Sequence, residues 1–234
     1  MKKALLFSLF TIYCLLSTAS AHAQSVDILY SGMTYTPPFY EGGALWSGES
    51  VIQMVAIPQG LGNPTQLFYK WSKNGTVLGN TNGVGKNSLI FSDTIFSKPV
   101  SITVEIVAAD ETVLAESSVT VVPSPASLLV YEKNPLFGYL FHQEASGGYR
   151  IPEEEISFAA FPLFFSTPSP DYSSLSYSWR SNAREDSAES SVTYRVPEGT
   201  SGSSAVSVKL QNSNTIRQMV EKSFLVQFGN ENSN

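Results

Sequence analysis

A tryptophan-bearing segment that occurs twice constrains the fold of this chain more than any other feature. Residues 67–75 are LFYKWSKNG, and residues 175–183 are LSYSWRSNA. In each copy Leu, Tyr and Trp are spaced two residues apart, so a β-strand would place all three side chains on one face. Trp179 lies roughly 100 residues after Trp71, which is about the length of one sandwich domain. We therefore predict two tandem antiparallel β-sandwiches, each built around a buried tryptophan strand.

The aromatic residues of these two strands are predicted core residues. Tyr69 and Trp71 share a face in the first copy, and Tyr177 and Trp179 share a face in the second. An exposed indole can serve as a platform for a sugar ring, but a position among Leu and Tyr on an alternating strand is typical of a buried one. We therefore assign all four side chains to the cores.

The apolar pattern of the first half returns in the second half in the same order and spacing. The matching positions are Ile52, Met54 and Ala56 with Ile156, Phe158 and Ala160; Leu89 and Phe91 with Val192 and Tyr194; Ile102, Val104 and Ile106 with Val206, Val208 and Leu210; and Val119 and Val121 with Phe224 and Val226. Period-two alternation of this kind predicts strands, and no segment has a helical period. The fold class is therefore predicted to be all-β.

The N-terminal residues 1–23 are predicted to be a signal peptide. Lys2 and Lys3 form a basic start, residues 4–16 are an uncharged apolar run, and residues 21–23, AHA, fit a cleavage site. At about 1.5 Å per residue the run covers roughly 20 Å, too short for a hydrocarbon core of about 30 Å. We expect an exported protein, extracellular or at the cell surface, and periplasmic if the cell has an outer membrane.

A proline-rich linker divides the rest of the chain. Residues 24–122 are predicted to form the first sandwich, 123–127 (PSPAS) the linker, 128–228 the second sandwich and 229–234 a polar tail. A short linker that contains prolines is semi-rigid, so we expect it to restrict the motion of one domain against the other.

Charge and cysteine content exclude several classes of partner and of stabilising bond. The formal net charge is −6 and becomes more negative once the two signal-peptide lysines are removed, which disfavours a nucleic-acid partner. The single cysteine, Cys14, lies in the signal peptide, so hydrophobic burial must stabilise the sandwiches without disulfides. No later stretch is long and apolar enough for a transmembrane helix.

Two patterns resemble bacterial extracellular Ig-like and PKD-like domains. One is the Y-x-W strand, which in the first copy is followed by Asn74-Gly75, and the other is the alternating run near the end of each unit, VSITVEI in the first. The likeness covers nearly all of the chain after residue 23, as two copies. It implies a tandem Ig-like or PKD-like sandwich fold and, by analogy, a spacer or interaction module of a surface protein.

Six aromatic residues are candidates for a contact surface. Trp46 lies outside the repeat pattern in a glycine-flanked, loop-like segment, so it could be exposed and belong to a contact surface. The other candidates are on two aromatic segments that contain proline, 35–40 and 131–139, and they are Tyr35, Phe39, Tyr40, Phe137 and Tyr139. These segments could form a peptide or glycan groove; alternatively, they cover an open sheet edge or pack at the domain junction.

Catalytic and metal chemistry find little support in the sequence. After the signal peptide the chain has one histidine, His142, and no cysteine, and it lacks a G-x-S-x-G elbow. Acidic clusters at 153–155 and 185–189 lack the interleaved carboxylates of a calcium loop. We therefore predict no enzyme activity, no cofactor and no metal.

The function predicted from these observations is structural or adhesive. A secreted or cell-surface protein of this kind would act as a spacer or as an interaction module of an envelope assembly, with another envelope or surface protein as partner. The alternative is a non-catalytic carbohydrate-binding module that uses exposed aromatic residues to bind a glycan.

Overall fold

The structure is a computed structural model and describes residues 23–92, 98–151, 155–182, 184–196, 198–215 and 218–229. In these ranges the regular secondary structure is almost entirely β-strand, with short turns of 3₁₀ helix at Pro64–Gln66 and Gly79–Thr81. The predicted signal peptide lies outside the described residues except for its last residue, Ala23.

The first domain contains two antiparallel sheets that face each other. One sheet has the order β1-β2-β6, and the other has the order β4-β3-β7-β8, with β5 also paired to β3. The strands are β1 Ser25–Gly32, β2 Val51–Gln59, β3 Phe68–Lys73, β4 Thr76–Val77, β5 Gly83–Val84, β6 Ser88–Ser92, β7 Val100–Val107 and β8 Val113–Val121.

The second domain repeats this plan with additional pairing at its edges. Its sheets have the orders β10-β9-β12-β15 and β11-β17-β16-β13-β14, and only the pair of β11 with β17 is parallel. The strands are β9 Ser127–Asn134, β10 Gly138–Glu144, β11 Gly148–Arg150, β12 Glu155–Leu163, β13 Leu175–Ser181, β14 Arg184–Ser187, β15 Ser191–Arg195, β16 Gly202–Asn212 and β17 Met219–Phe228. Each domain is an Ig-like sandwich with a tryptophan on an interior strand of one sheet, so the predicted fold class is confirmed.

Each sandwich has its own hydrophobic core, with a tryptophan at its centre. The two clusters of buried residues have no member in common. Trp71 and Trp179 are fully buried, and Tyr69 and Tyr177 are buried beside them. The alternating pattern therefore placed these four side chains on the correct face.

The polar ends of the core aromatic residues make the same hydrogen bonds in both copies. The indole of Trp71 donates to the Lys86 carbonyl at 2.8 Å, and that of Trp179 donates to the Glu189 carbonyl at 3.0 Å. The hydroxyls of the two core tyrosines, Tyr69 and Tyr177, each donate to a proline carbonyl, at 3.1 and 2.8 Å. A buried Trp or Tyr needs such a partner, and both copies meet that need in the same way.

The Asn-Gly turn after the first tryptophan strand has the backbone that its sequence predicts. Asn74 has φ 50° and Gly75 has φ 77°, both in the left-handed region that this hairpin turn requires. The Asn74 side chain accepts a hydrogen bond from the Ser101 amide, and Asn182 makes the equivalent bond with Ala205 in the second copy. These turns hold the tryptophan strands against their neighbours.

Candidate functional site

Four of the predicted contact residues lie on the segment between β1 and β2, and three of them, Tyr35, Phe39 and Tyr40, contact the second domain. The Tyr35 amide donates to the Phe165 carbonyl at 2.8 Å, and the Phe164 amide donates to the Tyr35 carbonyl at 2.9 Å. The Tyr40 ring meets the Phe164 ring edge-on at 5.6 Å. Tyr35 and Tyr40 therefore lie at the domain junction, which was the alternative to an exposed groove.

Phe39 is the point where the first domain joins an aromatic cluster on the second. Its ring stacks on Phe141 with centroids 4.1 Å apart, and it meets Tyr131 and Phe161 edge-on, each at 5.3 Å. Tyr139 completes the set through its contacts with Phe141 and Phe161. We call these five residues the aromatic cluster. It lies on the outer face of the β10-β9-β12-β15 sheet, because the alternate residues of β9 and β12 fill the core.

Buried polar side chains complete the junction between the domains. The Gln218 amide nitrogen donates to the Ser47 hydroxyl at 3.2 Å and to the Gly48 carbonyl at 3.1 Å. The carbonyl oxygen of Gln218 accepts from Asn212 at 3.0 Å, and the Ser47 hydroxyl donates to the Phe164 carbonyl at 2.7 Å. Ser47, Asn212 and Gln218 are all at most 1% exposed. Buried polar groups with satisfied partners favour a single arrangement of the two domains.

The hypothesis that Trp46 is exposed is wrong, because its side chain is only 1% accessible and belongs to the first core. The indole donates to the Ser50 carbonyl at 3.1 Å and meets the Phe91 ring edge-on. The Trp46 carbonyl accepts from the amide of Ser124 in the linker at 2.7 Å. This hydrogen bond to a residue distant in sequence holds the segment against the core. The glycines that flank Trp46 in the sequence do not indicate such a contact.

The fifth candidate, Phe137, lies at the tip of the β9–β10 hairpin together with Leu136. Phe137 is 77% exposed and Leu136 is 85% exposed. The Asn134 side-chain oxygen accepts from the amides of both residues, at 2.9 Å for Leu136 and 3.2 Å for Phe137. Gly138 has φ 75°, which is the left-handed residue that closes a three-residue hairpin loop. The tip is therefore a well-defined turn that presents two large apolar side chains to solvent.

Leu136 was not among the sequence-based candidates, although the sequence contains a usable signal. Residues 134–138 are NPLFG, in which Asn, Pro and Gly are turn residues on either side of two apolar ones. Tyr139 and Phe141 then lie two residues apart, which places them on one face of β10. Read together, these features predict a hairpin with an apolar tip.

The sixth candidate, Tyr139, is 41% exposed and borders a groove of about 470 Å³ beside the hairpin. The groove is also lined by Ser157 and Thr193, whose hydroxyls lie 2.7 Å apart, and by Glu155, which pairs with Arg195. An aromatic ring beside hydroxyl and carboxylate groups offers stacking and hydrogen bonding to a small polar ligand.

A larger groove of about 790 Å³ lies on the first domain. It includes the partly exposed side chains of Phe68, Val84 and Val113, with Lys70 at its edge. Lys70 forms an ion pair with Glu105, whose hydrogen bond and negative charge raise the lysine pKa. None of the sequence-predicted site residues lines this groove.

The titratable residues of the described chain form no recognisable metal centre. Across the described ranges, no three His, Cys, Asp or Glu side chains lie together in a way that could hold a metal ion. His142 is exposed on β10. Of the acidic cluster 153–155, only Glu155 is among the described residues, and it pairs with Arg195.

The helices of the described ranges include none with the length and apolar character needed to span a membrane.

No protein-family model matches the sequence, and no curated protein matches it. Among solved structures, the fibronectin(III)-like modules of Clostridium thermocellum CbhA are 10% identical with a TM-score of 0.31, covering 86% of this chain and 94% of that chain. Immunoglobulin domains 1–4 of Sidekick-1 are 10% identical with a TM-score of 0.25, covering 87% of this chain and 66% of that chain. Bacteroides ovatus SGBP-B, solved with a mixed-linkage heptasaccharide, is 8% identical with a TM-score of 0.20, covering 88% of this chain and 60% of that chain. With TM-scores this low, the assignment as a tandem Ig-like sandwich rests on the strand order of the chain itself.

Proposed function

We propose that this chain is an exported, non-enzymatic interaction module that docks a protein partner of the cell envelope through its β9–β10 hairpin. The observation that carries the proposal is the tip, where Leu136 and Phe137 are 85% and 77% exposed on a turn held by Asn134. The contact side chains are Leu136 and Phe137, and Tyr139 flanks them.

The energetics of exposed apolar groups favour an interface at this tip. Burying a Leu or Phe side chain contributes about 1.5–3 kcal/mol, and that free energy is unused while the tip faces water. An ordered turn loses little backbone entropy on binding, so two adjacent large apolar groups on it are pre-organised for an interface. Scattered single apolar residues on a surface need no such explanation, but an ordered adjacent pair does.

The domain junction supports a role as a spacer that also fixes the direction of the hairpin. Phe39 from the first domain stacks on Phe141 of β10 itself, and Gln218 bonds to Ser47 across the junction. Short linkers and buried polar contacts restrict the motion of one domain against the other. The first domain would then set the orientation in which the second presents its hairpin.

The proposal is tested by photo-crosslinking in cells that make the protein. A photoactivatable amino acid at position 137 is expected to yield a discrete crosslinked protein species, and the same group at Val84, 62% exposed on the first domain, is expected not to yield it. A Leu136→Ser, Phe137→Ser double variant crosslinked from position 139 should lose the species, whereas Val84→Ser should retain it. A double variant that forms the same species in the same yield would overturn the docking role.

A second candidate function is glycan binding in the groove beside Tyr139. The groove joins a partly exposed aromatic ring to the Ser157 and Thr193 hydroxyls, an arrangement that suits a sugar ring and its hydroxyl groups. Binding on a glycan array that is lost in Tyr139→Ala and retained in Leu136→Ser would favour this function over protein docking. Trp46, a candidate platform from the sequence, is buried and plays no part in either candidate function.

A further inference from the structure

Glu132 is a buried carboxylate on the inward face of β9. Leu128 and Val130, four and two residues before it, belong to the second core, and Glu132 occupies the next inward position with only 8% exposure. None of the ion pairs found in the described ranges includes it. Burial of a charged group without an ionic partner carries a desolvation cost, so hydrogen bonds must compensate it.

Two hydrogen bonds compensate the carboxylate, and one of them leads to the hairpin tip. The Tyr149 hydroxyl donates to Glu132 Oε2 at 2.5 Å, and Asn134 Nδ2 donates to Glu132 Oε1 at 3.2 Å. With its nitrogen turned to the carboxylate, the Asn134 amide directs its oxygen to the backbone amides of Leu136 and Phe137. The interactions form one continuous chain, from the core through Glu132 and Asn134 to the tip.

The protonation of Tyr149 is consistent with this arrangement. Burial, followed by the hydrogen bond to Glu132 and its negative charge, raises the pKa of the Tyr149 hydroxyl. The phenol therefore keeps its proton at neutral pH and remains a donor to the carboxylate. Tyr149 is itself fixed in the core by its edge-on contact with Phe158 at 5.3 Å.

We infer, on the basis of the docking role proposed above, that Glu132 is a positioning residue: it orients the Asn134 amide and thereby holds Leu136 and Phe137 in their binding geometry. It contacts no partner itself. Its effect reaches the surface through two hydrogen-bond steps, which explains why a carboxylate is kept at an inward position of a core strand.

Hydrogen exchange of the Leu136 and Phe137 amides in the intact free protein tests this role. Glu132→Leu removes both acceptor oxygens and is expected to accelerate exchange of these two amides about tenfold. Glu132→Gln keeps one acceptor for Asn134 and offers a donor to the Tyr149 oxygen, so it should restore exchange to within about threefold of the parent. The Thr65 amide, which is bound by Asn63 Oδ1 in the first domain, is the internal control and should not change.

Asn134→Ala separates positioning from a general loss of stability. It should accelerate the same two amides as Glu132→Leu does, and the double variant should be no faster than Asn134→Ala alone, because both changes break one chain. If Glu132→Leu does not fold, Tyr149→Phe removes the other partner of the carboxylate and should accelerate the tip amides in the same direction. Unchanged tip exchange in a folded Glu132→Leu or Tyr149→Phe protein overturns the inference.

Crosslinking from position 137 distinguishes this inference from the proposed function. Faster tip exchange in Glu132→Leu together with a lower crosslinking yield supports both the positioning role and the docking role. Faster exchange with an unchanged crosslinking yield supports the positioning role and contradicts docking through an ordered tip.

Discussion

The side-chain amide of Gln218 donates a hydrogen bond to the hydroxyl of Ser47 at 3.2 Å, although 171 residues separate them in the sequence. Ser47 lies on the segment before β2 of the first domain, and Gln218 lies just before β17 of the second. Both are fully buried, and separation of the domains would break this hydrogen bond together with the bond from Gln218 to the Gly48 carbonyl.

Replacement of Gln218 should weaken the coupling between the two domains. Gln218→Leu leaves Ser47 and Asn212 with fewer partners in a buried site, at an expected cost of about 1–3 kcal/mol. We expect the parent protein to unfold in one cooperative transition and the variant to unfold in two, as followed by calorimetry. Gln211→Ala, at an exposed position of β16, is the matched control and should leave one transition. A single, unshifted transition for Gln218→Leu would contradict the role of the junction.

The stacked pair Phe39 and Phe141 should show measurable coupling. Their centroids are 4.1 Å apart, and aromatic pairs contribute about 0.5–1.5 kcal/mol beyond the area that they bury. In a double-mutant cycle of Phe39→Ala and Phe141→Ala, urea unfolding should therefore give an interaction energy of about 1 kcal/mol. The control cycle combines Phe141→Ala with Phe68→Ala instead of Phe39→Ala. Phe68 lies on the first domain outside the aromatic cluster, so the effects of these two substitutions should be additive. Additivity in both cycles would show that the stacking contributes nothing.

Trp46→Ala should destabilise the first domain by about 3–5 kcal/mol, because it removes a fully buried indole. Loss of an exposed residue would change the free energy of unfolding by less than about 0.5 kcal/mol. The comparison variant is Leu45→Ala, the neighbouring position, which is 38% exposed. Equilibrium unfolding in urea measures both. Equal, small effects for the two variants would restore the hypothesis of an exposed Trp46.

Stability should fall at alkaline pH, and Tyr177 should contribute to that fall. Burial, with the nearby Asp171 and Tyr35 as smaller causes, raises the pKa of the Tyr177 hydroxyl. The unfolded phenol ionises near pH 10, while the folded one keeps its proton; the contribution is therefore complete below pH 10 and is lost as pH rises above it. One such phenol adds at most about 1.4 kcal/mol per pH unit to the slope.

Tyr177→Phe provides the test of this alkaline effect. It should lower the free energy of unfolding by a constant amount below pH 10, because the Pro170 carbonyl loses its donor. Above pH 10 the variant should lose stability less steeply than the parent protein. Parallel curves for the two proteins across pH 9–12 would rule out Tyr177 as a contributor.

Much of the fold could be predicted from the sequence because its cause is local. Alternation along β7, where every second residue is buried, predicts a strand with one face in the core. The Asn74-Gly75 turn needs positive φ at both residues, and these residue types tolerate it. The spacing of Tyr69 and Trp71 determines their common face in the same way. Each of these features depends on a few neighbouring residues.

The candidate site was only partly predictable, because it depends on contacts between residues far apart in the chain. Phe39 and Phe137 were both selected as candidates because they are aromatic residues on proline-bearing segments, but nothing local shows that Phe39 stacks on the second domain while Phe137 is exposed to solvent. Trp46 was misjudged because its burial depends on the pairing of its segment with Ser124 of the linker. Glu132 passed unnoticed, since a carboxylate next to Lys133 has the pattern of a solvated surface.

The sequence by itself determined the strands, the turns and the repetition of one plan around two tryptophans, because period-two alternation and turn chemistry act over a few residues. Only the tertiary structure decided which aromatic residues are internal and which are exposed to solvent. That outcome depends on how two sandwiches pack, and packing brings Ser47 to Gln218 and Tyr149 to Glu132 irrespective of their separation in the chain.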